Sequence, residues 1–196
     1  MTRWIALIAM AFANSAHADA DQILDAIRKE VNELAMEVAN EDVPDLLVQA
    51  IDASTSLAHS SLRRIILRDA GIKPVLGMKG IADNIAAHVL INEVMTPHEI
   101  TTGFALRAYF GRDCYGWRAA SAGLLSVQAD QEDDISLVTL AALTIAPSRY
   151  IRDERHRTER VARILENLTK AQTIAPERLD SLRNSAIPDP NVGPGC

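Results

Sequence analysis

An all-α fold is predicted by three features of the sequence. Apolar residues recur at alternating three- and four-residue steps, prolines and glycines stand where helices would begin and end, and no apolar–polar alternation persists beyond a few positions. About seven helices are expected in a single-domain helical bundle. Apolar helices between residues 81 and 146 would form its centre, with charged helices outside.

Residues 1–18 stand apart as a secretory signal that is removed. Arg3 supplies the positive start, residues 4–13 are apolar, and Ala16-His17-Ala18 places small residues at both recognition positions. Ten residues of helix reach about 15 Å, roughly half of a bilayer's hydrocarbon core, which favours a cleaved leader over an anchor. The chain would then begin at Asp19, with no cysteine there to carry a lipid. It is expected in the periplasm or secreted, with no transmembrane segment after the leader.

The folded domain is expected over residues 19–187. Leu24, Ile27, Val31, Leu34 and Val38 give residues 21–39 one apolar seam. A seam this short suits a helix packed on its own core, although its spacing would also let a second copy pair along it. Pro44 fits the first turn of the next helix, with Asp42 as its cap. Leu47, Ile51, Leu62, Ile65 and Ile66 carry the spacing to Asp69, with a break expected near residues 59–61. Gly71 suits the left-handed residue that closes a helix, and Pro74, Gly77 and Gly80 make a loop.

The central segments are apolar around most of their circumference, the mark of buried helices. Residues 81–95 form the first. Thr96-Pro97-His98-Glu99 is a capping box that starts a helix through Ile100, Phe104, Leu106 and Phe110, ending at Gly111. Residues 117–131 follow, with Ala119, Ala120, Ser121, Ala122 and Gly123 small enough for close approach by another backbone. Acidic residues 130–134 complement the positive end of a helix over residues 135–146, which carry no charge and are too few to cross a membrane. Pro147 ends that run. Residues 148–171 are charged but keep Ile151, Val161, Leu165 and Leu168 in helical register, and Pro176 opens a short helix with Leu179 and Leu182.

Residues 188–196 form a Pro/Gly-rich tail that suits neither a helix nor a sheet interior. The two cysteines, Cys114 and Cys196, offer a way to fasten it, since export favours a disulfide. Such a bridge would close a loop of about 83 residues and constrain the unfolded chain by roughly 4–5 kcal/mol. Pairing with another chain and free thiols are the alternatives.

The formal charge of −6, with 26 acidic against 20 Lys and Arg residues, argues against nucleic acid as a partner. No His-Glu-x-x-His, Cys-x-x-Cys, Gly-x-Ser-x-Gly or phosphate-loop pattern occurs, so no catalytic residue, metal or cofactor is assigned. Three features remain. Asn84, His88 and Asn92 lie four apart on one helical stripe and would suit a polar ligand pocket, with Asp83, Glu93, His98 or Glu99 near, or else would face solvent. Arg149, Arg152, Arg155, Arg157, Arg160 and Arg163 crowd one segment, where guanidinium groups could recognise carboxylate or phosphate on a partner. Interleaved acids make a solvated, ion-paired face the plainer account. Residues 109–117 hold four of the eight aromatic residues around Cys114, which suggests that the tail is fastened there.

The first functional reading is an exported, non-enzymatic interaction protein that binds a protein partner through Arg149, Arg152, Arg155, Arg160 and Arg163. The second is a small-ligand binder or enzyme built around Asn84, His88 and Asn92. The third is a homo-oligomeric structural component assembled through the seam of residues 24–38.

Overall fold

The three- and four-residue steps do form helix. The computed structural model describes residues 17–54, 58–74, 77–128, 131, 133–191, 193, 195 and 196, with side chains from Ala20 onward. Among the described residues there are ten α-helices, one π turn and one two-stranded ribbon, an all-α architecture. Residues 1–16 of the expected leader lie outside them. The chain forms two compact units, one of Met1–Glu41 with His59–Gly103 and the other of Asp42–Ala58 with Phe104–Cys196. No helix of the described residues is long and apolar enough to cross a membrane.

The first unit is built on α1 (His17–Asn40), with α3 (Ala58–Asp69), α4 (Met78–Val94) and the start of α5 (Pro97–Arg107). The seam of α1 buries Ile27, Val31 and Leu34, and α1 packs on α4. Leu24 and Val38, at either end of the seam, are half-buried. Gly71 closes α3 at φ 72°, as its place in the sequence predicts, with its N–H donating to the Arg68 carbonyl and that of Ile72 to Leu67. The capping box of α5 also forms. Thr96 N–H donates to Glu99 Oε2 at 2.6 Å, and Glu99 N–H to Thr96 Oγ1 at 3.3 Å.

The second unit is centred on α7 (Asp134–Leu143), in which every residue from Ile135 to Leu143 is buried. Asp133 caps it, accepting from Ser136 N–H at 2.9 Å. Helices α2 (Asp45–Ser54) and α9 (Glu154–Ala171) pack against it. Arg160 and Asn167 of α9 donate to the Ser54 and Ala53 carbonyls at the end of α2, satisfying acceptors that the helix itself leaves open. Helix α10 (Pro176–Asn184) is tied to the start of α7 by Arg178, which grips both Asp134 oxygens at 2.5 and 2.6 Å.

Several expectations are corrected. No break falls at residues 59–61, which lie within α3. The helix expected to reach Phe110 stops at Arg107. A ribbon of β1 (Tyr109–Gly111) and β2 (Cys114–Tyr115) follows, turning through Arg112 and Asp113 at φ 50° and 63° and burying Phe110 and Cys114. Residues 117–131 contain α6 (Trp117–Ala120) and a π turn (Ser121–Leu125) instead of one helix. Residues 148–171 are divided into α8 (Pro147–Arg152) and α9, since the Asp153 backbone turns extended and its side chain caps His156 N–H at 3.1 Å. Helix α4 is not buried all round, for Met78, Ile81, Ile85 and Val94 are exposed.

Candidate functional site

Helix α4 turns Ala82, Asp83, Ala86, Ala87, Leu90 and Ile91 inward. Five of these are apolar; the sixth is a carboxylate. Asp83 is 2% exposed, and its Oδ1 is buried with no hydrogen-bond partner among the described residues. An unpaired buried polar atom costs about 1–3 kcal/mol, so this is an expensive placement in a stripe that alanine would fill. Burial pushes the Asp83 carboxyl above the usual carboxylate value, and the nearby Lys79 ammonium pulls it partly back.

Asp83 and its half-buried neighbour Asn84 line a groove of about 640 Å³. Leu67, Ile72 and Pro74 supply apolar wall, and the exposed Arg64, Arg68 and Lys73 stand at its edge. Asp83 also borders a second cavity of about 410 Å³, where Lys79 and the neutral Gln22 join it. Three cations, Arg64, Arg68 and Lys73, line this groove with one carboxylate, Asp83, in a chain whose total charge is −6.

The first turn of α4 adds to this field. Gly77 precedes it at φ 92° and offers no side chain as a cap, and the first intrahelical bond runs from Ile81 N–H to the Gly77 carbonyl. The N–H groups of Met78, Lys79 and Gly80 come before that bond and carry the positive end of the helix dipole.

The predicted polar stripe divides. Asn84 reaches the groove and donates from Nδ2 to the Gly80 carbonyl at 2.7 Å. His88 and Asn92 face solvent, where Asn92 Nδ2 donates to the His88 carbonyl at 2.7 Å and stands 3.1 Å from His88 Nδ1. Of their proposed neighbours, Glu93 and His98 are exposed. Glu99 serves the capping box, and the Thr96 N–H it accepts lowers its pKa.

The arginines also separate. Arg149, Arg152, Arg155 and Arg163 are exposed, with Arg155 pairing Glu159 at 2.9 Å. Arg160 is half-buried on the end of α2, and desolvation lowers its pKa. Arg157 is 2% exposed and hydrogen-bonds the Tyr150 carbonyl and the Asp189 carboxylate, so it holds the tail. Cys114 and Cys196 are joined in a disulfide with Cα atoms 4.9 Å apart, within the usual range.

Sequence reasoning named Asp83 only as a possible neighbour of the stripe and did not single out Arg64 or Lys73. A signal was present. Asp83 precedes Ala86 and Ala87 by three and four residues, which places it on the packed side of α4. Among the described residues no cluster of three His, Cys, Asp or Glu side chains could hold a metal ion. No protein-family model matches the chain, and comparison with curated proteins finds no similar sequence.

Proposed function

We propose that the chain is an exported small-ligand-binding protein whose site is the α3–α4 groove around Asp83 and Asn84. The orphaned Asp83 oxygen in the wall of an apolar groove is the observation that carries this reading. Folding alone gives no return for a desolvated carboxylate there, whereas a bound molecule that displaces the wall around Oδ1 can supply its missing partner. Export is supported by the form of residues 1–18 and by the Cys114–Cys196 bridge, a bond that persists in oxidising compartments.

Native mass spectrometry of the exported protein tests the reading. We expect one small molecule retained per chain and lost from Asn84→Trp, which fills the groove from a half-buried position. A bare chain that no fraction of a cell extract stabilises against heat would remove it. A second reading, an adaptor for an acidic protein, draws on the exposed Arg149, Arg152, Arg155 and Arg163. The same spectra would favour it if they held a stoichiometric acidic protein that Arg152→Glu with Arg155→Glu released.

A further inference from the structure

We infer that the groove takes an anionic amphiphile, an alkyl chain ending in a carboxylate or phosphate, and this rests on the ligand-binding reading above. Three independent features converge on that chemistry. The wall formed by Leu67, Ile72 and Pro74 has no hydrogen bonds to offer from its side chains and suits a hydrocarbon chain. The edge is cationic. Arg64 hydrogen-bonds only weakly, at 3.3 Å, to the neutral Ser61 hydroxyl, and Lys73 is exposed beside it. The first turn of α4, which no Gly77 side chain caps, contributes Gly80 to the groove lining and carries the positive end of the helix dipole.

Asp83 completes the arrangement as a proton donor. Its carboxyl is buried in the groove wall, and a proton held there can be donated to an anionic ligand oxygen in an O–H···O⁻ hydrogen bond. The raised pKa of this group favours the protonated form that such a bond needs. Lining the same two cavities are Lys79 on α4, Arg64 and Arg68 on α3, and Lys73 on the following loop, with the neutral Gln22, Ile23 and Ala26 from α1. A bulky cation is thereby disfavoured at the edge, and a small inorganic anion would leave the apolar wall uncovered.

Calorimetric titration of the full exported chain, first stripped of any resident molecule, tests the class. The probes are dodecanoate, dodecyl phosphate, dodecyltrimethylammonium and inorganic phosphate. We expect one dodecanoate or dodecyl phosphate per chain, with inorganic phosphate at least about tenfold weaker and the ammonium probe not binding. Arg64→Glu combined with Lys73→Glu should weaken the anionic probes by at least about tenfold while leaving thermal stability within about 1 kcal/mol of the parent. Anilinonaphthalene sulfonate, whose charge is fixed, should bind more tightly at about pH 5 than at about pH 8. Asp83→Asn should bind it more tightly than the parent does at the higher pH. Phosphatidylglycerol vesicles separate the sources, since co-sedimentation that dodecanoate cannot compete away identifies a membrane lipid and competition identifies a free fatty acid. Preference for the ammonium probe, or a neutral apolar molecule in the native spectra, would overturn the anionic class and leave the ligand site standing. No probe bound and no molecule retained would remove both.

Discussion

Asp83 is the residue whose ionisation folding penalises most plainly, and the penalty has a definite sign. Its folded pKa lies above the unfolded value of 3.8, so its favourable contribution is full below about pH 4 and is lost as pH rises through the folded pKa. Asp83→Asn removes that loss. The variant should unfold at a higher urea concentration than the parent at about pH 7, and the two midpoints should converge at about pH 4. Equal displacement at both pH values would mean that packing, not charge, sets the effect. Asp134 works in the opposite sense. Arg178 holds its carboxyl below the ordinary value, so its contribution exists above 3.8 and is lost as pH falls through the folded pKa. Asp83 also shows why the site was only partly legible. A helical wheel places it on the packed side of α4, but the wheel does not show how α3 and the loop after it fold back against that side.

The elements most legible in the sequence were those set by local chemistry. The α1 seam, the Thr96/Glu99 box, the glycine closing α3 and the prolines opening α5 and α10 all act within one or two turns. The ribbon after α5 was not legible, because Gly-Arg-Asp-Cys lacks the usual glycine or asparagine at the turn centre and places Arg112 and Asp113 at positive φ only when tertiary contacts hold them. Those contacts come from the tail. Arg112 donates to the Gly193 carbonyl and accepts Cys196 N–H at 3.1 Å, while Asn191 N–H donates to Leu124. The disulfide rests on the π turn where Gly123 lacks a side chain; a Cβ there would stand 2.3 Å from Cys196 Sγ and 3.2 Å from Cys114 Sγ. Cys196→Ser should therefore cost about 2–4 kcal/mol in chemical denaturation and make the tail sensitive to protease. Gly123→Ala should cost about 1–3 kcal/mol in the oxidised parent and much less in the Cys196→Ser background. Additive costs in that cycle would show that the glycine serves the turn itself and not the bridge.

At the scale of the whole molecule, the proposed ligand site and the tail strap fall in different units. Each unit has its own core: Ile27, Val31, Leu34, Leu62 and Ile91 in one, and Leu47, Ile51, Val138, Leu140 and Ile164 in the other. The division was hidden from a linear reading because the chain passes from one unit to the other three times, at residues 41–42, 58–59 and 103–104, and only the second crossing lies in a Ser/Thr-rich stretch, residues 54–61. A perturbation confined to one core should then leave a local record. Hydrogen exchange should show dodecanoate slowing amides in residues 62–94, around the groove of the first unit, with residues 134–191 little changed. Reduction of Cys114–Cys196 should do the reverse, accelerating exchange around residues 109–125 and 187–196 and sparing α4. Both treatments changing protection throughout the chain by the same amount would identify a single cooperative body, with the strap and the groove coupled through its global stability.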